Sequence, residues 1–128
     1  MNAAVKQWHD MMESGSLDSL DDILAPDCVF LSPVVHTPQE GRDITKLYLT
    51  GASHVLGNEF RYVKEVITDT HAVLEFECEV DGILVNGVDI MTFNEEGQIS
   101  EFKVMVRPLK AVNMVHGRMK AMLEQLSS

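Results

Sequence analysis

"HAVLEFECEVDGILVNGVDIMTF", residues 71–93, is the stretch on which the fold turns. Leu74, Phe76, Cys78 and Val80 alternate with Glu75, Glu77 and Glu79, the two-residue period of a half-buried antiparallel strand. A second run follows Asp81 and Gly82. Within it Asp89 falls on the same face as Val85, Gly87, Met91 and Phe93. Burying an unpartnered charge costs several kcal/mol, so this carboxyl has a partner, is held neutral, or is not buried.

Similar runs flank the pair. "EFRYVKEVITD" (59–69) precedes it, and "QISEFKVMVRP" (98–108) follows through "NEEGQ" (94–98), a short glycine-containing hairpin connection. Four strands in succession make a meander. The first half of the chain has a helical period instead. Val5, Trp8 and Met12 mark a first helix over 3–12, closed by "SGS" at 14–16. Ser16 then serves as N-cap of a second helix carrying Leu17, Leu20, Ile23 and Leu24 on one side, with Pro26 as its stop. "DCVFLSP" (27–33) is a short strand and "VVHTPQEG" (34–41) a loop. Ile44, Leu47, Tyr48, Ala52 and Val55 give a third helix from Arg42, ended by Gly57 and Asn58. Pro108 suits the first position of a closing helix with a Val112, Val115, Met119, Met122 and Leu126 stripe. Gly117 weakens that helix by about 1 kcal/mol, so it relies on packing. The expectation is an α+β fold: a curved antiparallel sheet, three N-terminal helices and an additional C-terminal helix.

At 128 residues with 45% hydrophobic content, the chain suits one domain over 1–128. Its formal charge of -10, with no basic cluster, argues against nucleic acid and anionic membranes as partners. There is no apolar run of about 20 residues and no basic-then-apolar leader, so a cytoplasmic location is expected. Cys28 and Cys78 lack CxxC spacing and read as buried free thiols. His54, His71 and His116 lack ligand spacing, and neither a phosphate loop nor a nucleophile elbow occurs. No metal or other cofactor is expected.

Three stretches together resemble the nuclear transport factor 2-like superfamily, and within it the SnoaL-like (polyketide-cyclase-like) domains and ketosteroid isomerases. They are "ESGSLDSLDDILAPDCVFLSP", the helix entry "EGRDITKLYL", and the hairpin "VDIMTFNEEGQISEFKVMVRPL". The resemblance covers about residues 6–109, leaving a C-terminal helix at about 108–126. It implies a cystatin-like α+β barrel: a cone-shaped sheet with helices over its concave side, an apolar pocket inside, and homodimers formed through the exposed sheet face. It also implies residue roles by comparison with the isomerases, a worked example of pKa tuning. Asp89 matches their neutral aspartic acid, which donates to an oxyanion, and Tyr48 matches a tyrosine supporting that network. Trp8 stands where their oxyanion tyrosine is, and indole N–H is a poorer acid. Ser32 stands where their proton-shuttling aspartate is, and serine has no accessible pKa for that role. The steroid reaction as such is therefore not expected.

Read by themselves, the apolar neighbours of Asp89 desolvate it and raise its pKa unless a donor or cation is near. A raised carboxyl can donate to a ligand carbonyl or exchange protons near neutrality. The alternative is an ionised Asp89 satisfied by Trp8, Tyr48 or backbone N–H groups, or one at a wet mouth. His36, in the loop after the first strand, is a candidate substitute base. His9 is expected to face away from the interior, because neighbours on a helix diverge by about 100°. The candidate pocket wall draws Trp8, Met12 and Tyr48 from helices and Phe30, Phe60 and Tyr62 from the early strands. Phe76, Met91, Phe102 and Val104 complete it, unless these side chains are ordinary core. Arg107 should point outward. Val63, Ile67, Val88, Ile90 and Met105 would form the apolar outer face of the sheet. Two functions fit: a domain binding a small hydrophobic or aromatic molecule, with isomerase-, cyclase- or lyase-like acid/base chemistry at Asp89 and His36, or a non-enzymatic dimerisation or interaction domain with a filled cavity.

Overall fold

The structure is a computed structural model describing residues 2–56 and 59–127. The chain runs α1 (Ala3–Ser14), α2 (Leu20–Ile23), β1 (Leu24–Leu31), β2 (Gln39–Glu40) and α3 (Arg42–Leu56). It continues through β3 (Arg61–Ile67), β4 (His71–Val80), β5 (Ile83–Phe93), β6 (Ile99–Arg107) and α4 (Leu109–Ser127). The six strands form one curved, unclosed sheet in the order β2-β1-β6-β5-β4-β3. Four strands make the expected meander. The sheet is mixed, not wholly antiparallel, because β1 pairs in parallel with β6.

Local chemistry sets the element ends. Asn2 caps α1 by accepting from the amides of Ala4 and Val5, and Gly15, at φ 77°, closes it by donating to Met11. The β4–β5 turn is the two-residue Asp81-Gly82 pair, both at positive φ, which matches the twist of a hairpin. An Asp81–Arg118 ion pair ties this turn to α4.

Four readings of the sequence need correction. The second helix is a single turn, Leu20–Ile23, with Ser19 at its N-cap position and no side-chain cap bond; Ser16 does not cap it. Leu24, Ala25 and Pro26 already belong to β1, and Pro26 lies where the β1–β6 register shifts, a place that tolerates the missing N–H. The 34–41 loop contains the short strand β2, paired with β1. Pro108 precedes α4, which begins at Leu109. The expected end of α3 at Gly57 and Asn58 lies outside the described residues.

A bulge corrects a fifth reading, the outward facing of β3. Tyr62 pairs with Phe76 and Lys64 with Glu75, so β3 advances two residues while β4 moves one. The extra residue, Val63, inverts the facing of everything after it. Val66 therefore joins Val73 on the outer face, whereas Ile67 pairs with buried Ala72. Val88, Ile90 and Met105 keep their outward placement, and Arg107 is exposed.

The concave side holds two apolar clusters. One joins α1, α2, β1 and β6 through Trp8, Ile23, Phe30 and Phe102, and takes Leu74 and Met91 from the meander. The other joins α4 to the far end of the sheet through Phe76, Cys78, Val85, Ala111 and Val115. Tyr48, Tyr62 and Val104 pack against both. α4 rests on α3 where Gly51 leaves room for it: a Cβ there would lie 3.3 Å from Met119 Cε. Cys28 and Cys78 are buried free thiols, and burial pushes Cys78 up to about 11. Among the described residues, no helix is long and apolar enough to cross a membrane.

Candidate functional site

Asp89 lies between the two clusters. Its neighbours along β5 divide accordingly, Met91 going to the α1 side and Val85 to the α4 side. Gly87 shapes this junction, since a Cβ there would lie 2.3 Å from Phe76 Cζ. The missing side chain lets the Phe76 ring cross the strand next to the carboxyl. Asp89 is 5% exposed, and with Thr45 is one of two buried polar residues in the described chain.

Its partner is Tyr62, whose hydroxyl donates to Asp89 Oδ2 at 2.7 Å. The Trp8 indole N–H in turn donates to the Tyr62 oxygen at 2.7 Å. An indole can only donate, so Trp8 occupies an acceptor position on Tyr62 and leaves the phenolic proton for Asp89. Among the described residues nothing bonds Oδ1, and no fully buried side-chain oxygen lacks a partner, so Oδ1 faces open space.

Magnitudes decide the charge state. Burying a carboxylate costs several kcal/mol. One hydrogen bond to it returns roughly 1.5–3 kcal/mol. Desolvation accordingly outweighs the Tyr62 bond and lifts Asp89 from 3.8 to about 7. Tyr62 is pushed up too, by burial first and by the Asp89 charge second, so it remains a donor. With Oδ2 accepting from Tyr62, the proton of neutral Asp89 falls on Oδ1.

Oδ1 has little space around it. The cavity whose wall includes Asp89 is about 50 Å³, bounded by Trp8, Met12, Leu49, Phe60, Phe76 and Phe102, among others. That volume holds water molecules and no ring system. It shares Met12, Ser53 and Phe60 with an open cleft of about 890 Å³ between α1, the end of α3 and β3. On its other side it shares Ala52, Leu56 and Val104 with an apolar cavity of about 200 Å³ under α4.

The anticipated pocket wall is thus split. Trp8, Met12, Phe60, Phe76, Phe102 and Val104 surround the Asp89 compartment. Phe30, Ser32 and Tyr48 line the α4 cavity, where the Tyr48 ring stacks on Phe30 at 5.1 Å. Tyr48 makes no hydrogen bond to Asp89, which corrects the expected partner. Met91 lines neither cavity and is fully buried core. His36 is exposed and lines none of these cavities, so it is not placed to act as a base. His9 does not face away: it pairs with Glu65 at 2.9 Å and packs edge-on to Tyr62 at 5.5 Å. Tyr62 was visible in the sequence as a wall aromatic, but its role was not. Only the register across β4 shows its hydroxyl reaching Asp89. Among the described residues no three His, Cys, Asp or Glu side chains group as metal ligands.

A family model described as a SnoaL-like domain matches residues 5–102. The chain belongs to the SnoaL-like family. This SnoaL-like domain is 28% identical over 113 residues to a steroid Delta-isomerase of Nocardioides simplex, covering 84% of this chain and 90% of that protein. Its fold matches a crystal structure of a steroid delta-isomerase from Pseudomonas aeruginosa, with TM-score 0.92 and 29% identity over 98% of this chain and 93% of that one. It also matches a cystatin-like protein from Silicibacter pomeroyi, with TM-score 0.88 and 30% identity over 94% and 85%. These neighbours are consistent with the nuclear transport factor 2-like superfamily.

The raised pKa of Asp89 links folding to pH. An acid whose folded pKa exceeds its unfolded value contributes fully below the unfolded value, 3.8, and loses that contribution as pH rises through about 7. Urea unfolding at about pH 5 and about pH 8 should show the wild type losing a few kcal/mol more than Asp89→Asn over that interval. An identical pH dependence in the two proteins would contradict the assignment.

Proposed function

We propose that this SnoaL-like domain binds a small hydrophobic or aromatic molecule carrying a hydroxyl or carbonyl, and that Asp89 meets this group. The observation that carries the reading is the Trp8–Tyr62–Asp89 chain, which ends in one unbonded carboxyl oxygen at an apolar cavity. A neutral Asp89 donates to a carbonyl; an ionised one accepts from a hydroxyl or takes a proton. With its pKa near 7, both forms are present at neutral pH, which suits isomerase-, cyclase- or lyase-like proton transfer. The names of the two steroid isomerases support this chemistry, while Ser32 argues against the steroid-isomerase reaction as such. Its Oγ accepts from the amides of Val34 and Val35, so it shapes a turn and supplies no carboxylate base. Ligand reaches Asp89 from the open cleft, past Met12, whose unbranched side chain adjusts readily.

4-Nitrophenol, whose absorbance reports binding and ionisation, is a suitable probe. Asp89→Asn and Tyr62→Phe should each weaken it about tenfold or more, a loss of about 1.4 kcal/mol. Unchanged affinity in both variants would remove the reading.

A second reading, self-association, rests on the outer sheet face. Val66, Leu84 and Met105 are 64%, 73% and 49% exposed there, with Val73 beside them. Such a face suits a two-fold homodimer. Sedimentation equilibrium should give twice the 14.3 kDa chain mass, and Val73→Glu with Met105→Glu should return it to the monomer. A wild-type monomer at about 100 µM, well above the Kd of a stable dimer, would contradict it.

A further inference from the structure

The cavity under α4 is separate from the Asp89 compartment and has a different character. It measures about 200 Å³ and is walled by Phe30, Tyr48, Val106, Val115 and Met119. Ala52, Leu56 and Val104 form its partition from the Asp89 side, and Asp89 is not among its lining residues. The Asp89 site therefore does not account for it.

Its charged and hydroxylic groups lean one way. Lys120 and His116 stand in its wall, one helical turn apart on α4, and both are exposed. The five ion pairs of the described residues use other cations, so Lys120 is not engaged by any of them. Ser32 lines the opposite rim, and because its oxygen already accepts two amide N–H groups, its proton is what remains for a ligand. Among the described residues no Asp or Glu lines the cavity, although 20 of the 128 residues are acidic. An apolar chamber rimmed by donors and a positive charge, in a chain of net charge -10, selects an apolar molecule with an anionic end. Among the described residues Lys120 is the one Lys or Arg in the wall, which matches a singly charged carboxylate better than a phosphate ester carrying nearly two negative charges. The volume falls below the roughly 300 Å³ at which drug-sized pockets begin, so the ligand is small.

We propose that this second cavity binds a small apolar carboxylate, of medium-chain or single-ring size. Its hydrocarbon part lies between α3, α4 and β6, and its carboxylate lies at the rim against Lys120, His116 and the Ser32 hydroxyl. The proposal does not depend on the Asp89 reading.

Calorimetric titration with decanoate, and with decanol as its uncharged counterpart, tests it on the full chain. Decanoate should bind the wild type and lose about tenfold or more in affinity in Lys120→Glu, while decanol binding stays unchanged. Lys110→Glu makes the same charge change on α4 away from the cavity and should leave decanoate affinity intact. Val106→Trp fills the chamber and should abolish binding of both ligands, and Asp89→Asn should affect neither. The proposal is overturned if decanoate fails to bind the wild type, if Lys120→Glu and Lys110→Glu weaken it equally or not at all, or if Asp89→Asn abolishes it.

Discussion

A carboxyl held between two apolar clusters is the constraint around which this domain is arranged. The α1-side and α4-side clusters adjoin through Tyr48, Tyr62 and Val104, with Asp89 buried between them. With it, the interior contains a polar point that must be satisfied, and the fold supplies one phenol from two strands away. Trp8 on α1 then fixes the phenol, so a helix, an edge-side strand and a central strand are joined by two short hydrogen bonds. Removing one partner from such a buried chain leaves the others unsatisfied, which costs more than the bond itself is worth. The same chain occupies one carboxyl oxygen and leaves the other facing a cavity.

Two small backbone features deliver that arrangement. Gly87 lets the Phe76 ring cross β5 beside Asp89 and stand in the wall of the compartment of about 50 Å³. The bulge at Val63 keeps Tyr62 facing inward while turning Lys64 and Val66 to the outer face. A regular strand would have turned Val66 inward and left Glu65 on the outer side; here Glu65 instead pairs with His9 on the helix side. Site and sheet surface are thus set by the same irregularity.

Much of this could be read from the residues. The two-residue period of the meander placed Asp89 on the buried face, and burial did raise its pKa. The helical stripes located α1, α3 and α4 to within a few residues. What the residues hid were features that depend on pairing. The bulge has no signature in "RYVKEVI", so the outward facing expected of Ile67 came out inverted. Tyr48 and Tyr62 were equally plausible as wall aromatics, and only strand register separates the one that reaches Asp89 from the one stacked on Phe30. The parallel β1–β6 pair is likewise invisible to local pattern, because it joins segments some seventy residues apart. The division of the interior into two cavities depends on the partition by Ala52, Leu56 and Val104, which are spread across two elements.

Membership of the SnoaL-like family fixes the frame, and two adjoining chambers occupy its interior. One chamber holds the buried Asp89 carboxyl, and the other has Lys120 and His116 in its wall. Burial holds the Asp89 carboxyl well above the ordinary carboxylate range, so that its neutral form persists to about neutral pH in the resting protein. The most direct measurement is a carbon-13 NMR titration of the Asp89 side-chain carboxyl in the folded protein. A midpoint near 7, with Tyr62→Phe moving it further up because a bond to the charged form is lost, is the predicted result. A midpoint near 4, the ordinary range for an aspartate in water, would contradict it.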